Sequence, residues 1–380
     1  MNLQLTEEQQ MLQKSVREFA ESEVRPMARE NDETGHFPLA LFKKAAELGL
    51  TGVAFPESEG GAGFDHVAYT IVIEEISRCC ASTGVILSVQ NSLFCDPMHR
   101  YGTAEQKKKF LEPFARGEKI GCYALTEPQA GSNAAALQTK AVKKGDSYVI
   151  NGTKAWITNG GVADAAIVYV NTEPAKGEKG ITALVVEKGT PGFRVGKEEK
   201  KLGIHATACC ELVLTDCEVP EANRIGSEGE GYKVAMSTLD GGRIGIAAQA
   251  TGIAQGAFEA ALKYAQERMA FGHPIAQFQA IQFMLADMAT DIDAARLLVR
   301  KAAWKQDSGG RFSLEASAAK LFASEMATRV THKAIQIHGG YGYSQEYPVE
   351  RAYRDARITE IYEGTSEIQR LVIAAWVLKG

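Results

Sequence analysis

Ser147-Tyr-Val-Ile-Asn-Gly-Thr-Lys-Ala-Trp-Ile-Thr158 contains two runs rich in β-branched and aromatic residues, which are typical of β-strands. The Asn151-Gly152 dipeptide between the runs is a strong hairpin signal, and Gly145-Asp146 ahead of them is typical of another tight turn. Further short β-rich runs, separated by turn residues, follow at Ala166–Val170, Ile181–Val186, Phe193–Val195 and Glu211–Leu214. We therefore predict an antiparallel β domain, a sandwich or a small barrel.

Helical patterns lie on both sides of this β domain. Thr6 and Gln9 have the spacing of a capping box, and apolar residues then recur at steps of three and four. Helical periodicity returns after Gly231, and one later stripe comprises Ala323, Met326, Val330, Ala334 and Ile337. The sequence thus predicts an α+β multidomain chain: a helical N-domain over residues 1–120, a β domain over 121–229 and a C-terminal helical bundle over 230–380.

The predicted helix around residues 232–266 is unusually rich in glycine. Each interior glycine costs a helix about 1 kcal/mol relative to alanine, so something must compensate. Close helix packing and a ligand lying against bare backbone are both open explanations. The glycines concerned are Gly241, Gly242, Gly245, Gly252 and Gly256.

Composition excludes several classes of protein. The 380 residues carry a net charge of −5, which argues against nucleic acid or an anionic membrane as the main partner. We find no apolar run long enough to span a bilayer and no signal or transit peptide, so we expect a cytoplasmic protein or a processed mitochondrial matrix form. The 7 cysteines show no Cys-x-x-Cys spacing and the 7 histidines are scattered, so we expect no metal site.

The segment Ile361-Tyr-Glu-Gly-Thr-Ser-Glu-Ile-Gln369 contains the strongest candidate for a catalytic group. Ser366 and Gln369 have capping-box spacing, with Thr365 as a competing cap, which places Glu363 in a tight turn before a helix. A carboxylate held there against apolar surface has a pKa raised toward neutrality, as a proton-transfer group requires. An ordinary loop carboxylate before a helix is the alternative interpretation.

The common nucleotide-binding and hydrolase fingerprints are absent: there is no Gly-x-Gly-x-x-Gly after a strand, no P-loop and no Gly-x-Ser-x-Gly. Three polar or glycine-rich clusters remain, at Tyr123–Ser132, Trp156–Thr158 and Gln336–Gly340. Taken singly, they are also compatible with a turn, a core tryptophan and a helix C-cap. Together with Glu363 they describe a site for a flat heterocycle carrying phosphates that faces a carboxylate base.

These segments, with Arg268-Met-Ala-Phe-Gly272 and Phe278-Gln-Ala-Ile-Gln282, resemble the acyl-CoA dehydrogenase family over essentially the whole chain, in particular its short-chain (butyryl-CoA) branch. The resemblance implies FAD as cofactor, an acyl-CoA thioester as substrate and a homotetramer built as a dimer of dimers. It also implies that electron-transferring flavoprotein reoxidises the flavin.

The resemblance also implies a role for individual residues of this chain, according to their positions in the shared motifs. The resemblance implies that the flavin ring is held by Tyr123, Leu125, Thr126, Gly131, Ser132, Trp156, Ile157 and Thr158. The remainder of FAD, partly from a neighbouring subunit, would be contacted by Arg268, Phe271, Gln279, Gln336, Gly339, Gly340, Thr365 and Glu367. The acyl-CoA would be contacted by Ser132, Asp240, Arg243 and Gly364.

Glu363 matches the family's catalytic base, which removes the pro-R α-proton while a hydride leaves the β-carbon for flavin N5. In the long-chain and isovaleryl branches the base lies just before the arginine of the glycine-rich helix, and here that position is Gly242. Gln129, Asn133 and His205 depart from the residues usual in the family. A branched short-chain substrate and an oxygen-using, oxidase-like activity are the alternative functions, and a non-catalytic FAD-bearing protein is a third.

Overall fold

The structure, a computed structural model, describes residues 4–379. Helices make up its first third, and the first begins at the predicted capping box, because the Thr6 and Gln9 side chains each accept a hydrogen bond from the other residue's backbone N–H. Two π-helical turns, Ala20–Val24 and Val89–Cys95, connect successive helices. The helices are α1 Glu7–Phe19, α2 Arg25–Thr34, α3 Leu39–Glu47, α4 His66–Cys79, α5 Ala81–Ser88, α6 Asp96–Tyr101, α7 Ala104–Phe110 and α8 Glu112–Ala115.

A single sheet follows. Its strands are β1 Gly121–Ala124, β2 Lys140–Lys144, β3 Ser147–Ile157, β4 Ala165–Asn171, β5 Ile181–Glu187, β6 Phe193–Glu198, β7 Cys210–Pro220 and β8 Arg224–Ile225. The order is β6-β7-β3-β2-β4-β5-β8, with β1 beside β4. The ladders are antiparallel except that β1 and the start of β2 run parallel to β4. This departs from an all-antiparallel domain because a long loop, residues 125–139, joins β1 to β2 in place of a tight turn.

The two predicted turns have different outcomes. The tight turn at Gly145-Asp146 is confirmed, since Lys144 at the end of β2 pairs with Ser147 at the start of β3. The hairpin at Asn151-Gly152 is wrong, because β3 continues through it and only the register with β7 shifts there. Pairing along the full length of β7 outweighs the local turn preference, and the Asn151 side chain exchanges hydrogen bonds with Asp216 across the ladder.

The last third is helical again, so the predicted order of helical, β and helical regions is confirmed. Its elements are α9 Gly231–Glu267, the hairpin β9 Met269–Ala270 and β10 His273–Pro274, α10 Gln279–Asp307, α11 Ser313–His338, α12 Pro348–Arg357 and α13 Ser366–Val377. The stripe predicted on α11, from Ala323 to Ile337, is buried in the largest core cluster. Within residues 4–379, no helix combines the length and apolarity that a membrane crossing requires.

Close helix packing explains most of the glycines in α9. A β-carbon on Gly252 would overlap the backbone of Glu74 in α4, and one on Gly256 would overlap the carbonyl of Arg78. A β-carbon on Gly245 would overlap the hydroxyls of Tyr69 and Ser88, which bond to each other at 2.9 Å. Gly252 and Gly256 therefore allow the backbones of α9 and α4 to touch, and this close packing compensates for the low helix propensity of glycine.

Candidate active site

Glu363 lies in a strained turn between a short 3₁₀ segment, Ile358–Glu360, and α13. Its φ of 52° is in the left-handed region, which is uncommon for a residue with a side chain, and Gly364 follows at 95°. Strain of this kind persists only where the surroundings hold it in place.

The helix after this turn is capped by Thr365, whose hydroxyl accepts the N–H of Ile368 at 3.3 Å. The predicted Ser366–Gln369 capping box is therefore wrong, and the competing cap is correct. Gln369 completes no box because its Oε1 atom is buried without a partner, while its Nε2 donates to the carbonyls of Glu363 (3.3 Å) and Gly364 (2.8 Å). Those two bonds hold the turn.

The Glu363 carboxyl group points into the protein. Its Oε2 atom is buried without a hydrogen-bond partner and packs against Gly242 of α9, with Leu93 beside it. Burial raises the pKa of Glu363 from 4.5 to about 7, with Lys320 and Arg243 opposing the rise. This environment favours a proton-transfer group over an ordinary loop carboxylate.

Two cations lie near this carboxyl group. Arg243 is buried and donates from Nη1 to Asp240 at 2.6 Å, while Ser313 donates to the other Asp240 oxygen at 2.5 Å. Lys320, on α11, is fully buried and donates to the Gly364 carbonyl at 2.7 Å. Burial lowers the pKa of Lys320 to about 8.

Sequence reasoning missed Lys320, although a signal was available. A lysine in an alanine-rich helix is normally assigned to the solvated face. Lys320, however, follows Ala316 by four residues and precedes Ala323 by three, and both alanines are buried. Its position on the buried stripe of the helix was therefore visible in the spacing.

The structure brings the two predicted flavin segments together. The Ala155 N–H donates to the Thr126 carbonyl at 2.9 Å, and the Lys154 ammonium donates to the Leu125 carbonyl at 3.1 Å. Trp156 lies 56% exposed at the end of β3 with a φ of 62°, so its ring faces outward beside the loop. Of the other residues in this group, Leu125 and Ile157 are buried, Tyr123, Thr126 and Thr158 are half-buried, and Gly131 and Ser132 are exposed.

A fully buried ion pair lies beneath these segments. Lys154 Nζ is 2.8 Å from Glu127 Oε1, and both side chains are inaccessible to solvent. Glu127 also accepts the N–H groups of Gln138 (2.6 Å) and Thr139 (2.9 Å). Burial lowers the pKa of Lys154 to about 8, and for Glu127 the cation and these donors outweigh burial, so its pKa is lowered. The pair and its hydrogen bonds tie the start of the loop to β3.

Tyr123 connects this region to the carboxyl group. Its hydroxyl donates to the Ala235 carbonyl of α9 at 3.4 Å, and its pKa is raised well above 10, chiefly by burial, with Glu363 among the nearby charges. The flavin segments and Glu363 therefore border a common region at the junction of β1, α9 and α13.

Three of the remaining predicted cofactor residues, Arg268, Gly339 and Gly340, form a second cluster at the far end of α9. Arg268 lies over the ring of Tyr341 at 5.5 Å and lines a cavity of about 580 Å³ with Gly339 and Gly340. Phe271 is 91% exposed, and Gln279 and Gln336 are exposed as well. Arg268 follows Gly242 by 26 residues of α9, which at 1.5 Å per residue is about 39 Å. One chain thus carries two separate clusters.

The predicted residues of α13 and α9 lie nearer the base. Thr365 and Gly364 are half-buried in the turn, and Glu367 is exposed in the first turn of α13.

Of Gln129, Asn133 and His205, the three residues that depart from the resemblance, two have structural partners. Gln129 donates to Glu127 at 2.6 Å. His205 contacts the backbone carbonyls of Asp32 and Lys201 at 2.9 and 2.8 Å.

Three family models match consecutive parts of the chain. The acyl-CoA dehydrogenase N-terminal domain matches residues 6–118, the middle domain matches 122–217 and the C-terminal domain matches 229–378. Together they cover the three regions that the fold distinguishes.

Whole-chain comparisons agree. The chain is 52% identical over 379 residues to the short-chain specific acyl-CoA dehydrogenase of Clostridium acetobutylicum, covering 100% of both. It matches the butyryl-CoA dehydrogenase structure of Megasphaera elsdenii with a TM-score of 0.98 and 47% identity, covering 100% of both chains. A chain in the structural work on the electron transferring flavoprotein of Acidaminococcus fermentans matches with a TM-score of 0.99 and 49% identity, again over 100% of both. The chain belongs to the acyl-CoA dehydrogenase family of FAD-dependent oxidoreductases.

Proposed function

We propose that this enzyme introduces the α,β-double bond into short-chain acyl-CoA thioesters of the butyryl-CoA type, with Glu363 as the base that removes the α-proton. The observation that carries the proposal is the Glu363 carboxyl group itself. Its Oε2 atom is buried and unpaired, the residue is held in a left-handed turn, and burial raises its pKa to about 7. A base with a pKa near the working pH has both the ionised fraction and the proton affinity that the reaction needs.

The residues present fit FAD. Trp156 offers an exposed flat ring beside an open loop, and a β-carbon on Gly131 would meet nothing within 4 Å. Tyr123–Ser132 and Trp156–Thr158 would hold the flavin ring, with Thr365 and Glu367 contributing from α13. Bound FAD supplies the acceptor, at N5, for the hydrogen that leaves the β-carbon.

An α-C–H beside a thioester is too weak an acid for a carboxylate alone, so the site must stabilise negative charge on the thioester oxygen. Within residues 4–379, the backbone N–H of Glu363 donates to no protein acceptor. That N–H is therefore available for the thioester oxygen. A preorganised donor of this kind is typically worth ~3–4 kcal/mol in the transition state.

The polar wall beside the base suits the CoA part of the substrate. Asp240 and Arg243 form a fixed ion pair on α9, and Arg243 Nε is buried without a partner. We assign these two residues, with Gly364 and the exposed Ser132, to acyl-CoA binding. The thioester can then lie between the Glu363 carboxyl group and the flavin segments.

We also propose a homotetramer, a dimer of dimers, in which a neighbouring subunit completes each cofactor site. The support is the separation of about 39 Å along α9, which is too long for one FAD to reach both clusters of the same chain. Exposed apolar side chains follow Arg268 closely in the chain, namely Met269, Phe271 and Phe283. Such a surface is expected to be covered by another protein surface.

Electron-transferring flavoprotein is the proposed electron acceptor. The support is the likeness, at 49% identity, to a chain from structural work on that flavoprotein of Acidaminococcus fermentans. Oxygen is the alternative acceptor, and the two are distinguished by supplying each separately to the reduced enzyme.

The proposed activity is tested by purifying the protein with FAD and adding acyl-CoA thioesters of four to eight carbons without air. Bleaching of the flavin band that is fastest with butyryl-CoA is the expected result. A colourless protein that does not take up FAD would contradict the cofactor assignment. A yellow protein that none of these thioesters bleaches would contradict the substrate assignment.

A further inference from the structure

Lys320 is a buried cation whose hydrogen-bond acceptor is a neutral group. Its side chain is fully buried, and Nζ donates to the Gly364 carbonyl at 2.7 Å. Burying an ammonium group is costly unless its charge is compensated. A lysine in this position therefore requires a nearby negative charge or a function that justifies the cost.

The carbonyl that Lys320 contacts belongs to the turn that holds the base. Gln369 donates to the same oxygen at 2.8 Å and to the Glu363 carbonyl at 3.3 Å. The charged Lys320 and the neutral Gln369 thus both hydrogen-bond to the backbone of the left-handed turn. The direction of the Glu363 side chain and of its backbone N–H depends on both.

The charged and titratable groups that face Glu363 come from several elements. Arg243 on α9 is the other cation, but it already pairs with Asp240 at 2.6 Å. The hydroxyls of Tyr69, Tyr123 and Tyr362 also lie near Glu363, and burial raises the pKa of each well above neutrality, so they stay uncharged. Besides Glu363, the carboxylates of Glu360 and Glu367 favour the charged form of Lys320, and Glu360 is itself paired with Arg357 at 2.7 Å. Within residues 4–379, Lys320 forms no salt bridge, and Glu363 is the carboxylate that acts on it most strongly.

We propose that Lys320 is a positioning residue for the dehydrogenation: its ammonium group anchors the base turn through the Gly364 carbonyl and keeps the Glu363 side chain ionised until it takes the α-proton. The inference rests on the proposed function of Glu363. Lys320 would thus act through Glu363 and its turn, without itself contacting the substrate or the cofactor.

The proposal has a direct consequence for pH dependence. Glu363 has a pKa of about 7, and Lys320 is the largest influence that lowers it. A cation at close range typically lowers a carboxyl pKa by one to three units, so its loss should move the acid limb of the rate profile upward by about one pH unit. Lys320 has a pKa of about 8, so it is charged in the parent enzyme over the acid limb and the comparison is made there. At pH 6 the shift corresponds to a rate about tenfold lower, relative to each enzyme's own maximum, than in the parent enzyme.

The experiment compares Lys320→Met with Gln369→Met in the FAD-loaded enzyme. The limiting rate of flavin bleaching by butyryl-CoA is followed without air from pH 5.5 to 9, with FAD content and melting temperature measured on the same samples. Lys320→Met removes the charge and the hydrogen bond to the Gly364 carbonyl, whereas Gln369→Met removes one hydrogen bond to that carbonyl and one to the Glu363 carbonyl, and no charge. We expect the acid limb to move only in Lys320→Met.

Lys320→Arg keeps the cation and should leave the acid limb near its position in the parent enzyme. If Lys320→Met does not retain FAD, Lys320→Gln takes its place as the neutral variant. An unmoved limb in the neutral variants, or equal shifts in Lys320→Met and Gln369→Met, would overturn the proposal. Neither result would affect the role of Glu363. Failure of the proposed function would instead appear in the parent enzyme, as flavin that butyryl-CoA does not bleach, or in Glu363→Gln, as bleaching that persists.

Discussion

The carboxyl group of Glu363 occupies the space that a side chain at Gly242 would need. A β-carbon built on Gly242 would overlap Glu363 Oε2 and approach Leu93 Cδ2 to 2.8 Å. Two positions distant in sequence thus converge on one point of the site, and glycine at 242 is a condition for a base at 363.

Gly242→Ala is therefore expected to displace the base. A misplacement of about 1 Å can cost roughly 100-fold in rate, so we expect kcat to fall on that order while FAD stays bound. Gly241→Ala is the matched control, because its β-carbon would meet Gln306 at 3.7 Å, an ordinary contact. Steady-state rates with butyryl-CoA measure both, and equal activity of the two variants would show that the space at 242 is not needed.

Glu363→Gln should change stability in a pH-dependent way. The folded pKa of about 7 lies above the ordinary 4.5, so this carboxyl group contributes its full stability below pH 4.5 and loses that contribution as pH rises through 7. The cost at pH 8 is on the order of 2–3 kcal/mol, and glutamine removes it.

The measurement is the melting temperature at pH 5 and pH 8. We expect Glu363→Gln to melt at least about 2 °C above the parent at pH 8, with a much smaller difference at pH 5. Glu8→Gln, at an exposed carboxylate of α1, is the control for the substitution itself. A Glu363→Gln difference that is the same at both pH values would contradict the raised pKa.

The buried pair Lys154–Glu127 should behave differently from surface pairs. Replacing one partner, as in Lys154→Met or Glu127→Gln, leaves the other buried without its counter-charge and should cost about 3–5 kcal/mol. Lys109→Met, in the exposed pair with Glu187, should cost less than about 1 kcal/mol. Chemical denaturation gives the comparison, and similar small losses at both pairs would refute a structural role for the buried one.

Arg268→Ala should weaken FAD retention, because Arg268 lines the cavity proposed for the cofactor of the neighbouring subunit. Gel filtration followed by absorbance gives the flavin content per chain. Arg194→Ala, at an exposed arginine of β6, is the control for the loss of a charge. Full flavin content in Arg268→Ala would count against that assignment.

The sequence predicted the order of elements well where periodicity is strong and local. The capping box at Thr6, the turn at Gly145-Asp146 and the buried stripe of α11 all depend on residues within a few positions of one another. The false hairpin at Asn151-Gly152 shows the limit, since the long ladder between β3 and β7 overrides a strong local turn signal.

The candidate site was predictable in part. Glu363 could be found because turn and cap signals surround it, even though Thr365 and not Ser366 forms the cap. The packing of Glu363 against Gly242, the contact of Lys320 with Gly364 and the buried pair beneath the flavin segments all join residues far apart in the chain. Contacts of this kind are decided by tertiary packing, which local patterns do not encode.

Rapid mixing of the FAD-loaded Glu363→Gln variant with butyryl-CoA in the absence of air shows directly whether Glu363 removes the α-proton. Glutamine keeps the shape of the side chain and should leave FAD binding intact but cannot accept the proton. We expect the flavin band to persist about 100- to 10,000-fold longer than in the parent enzyme, which is the typical contribution of a general base. Bleaching of the variant at the parent rate would contradict it.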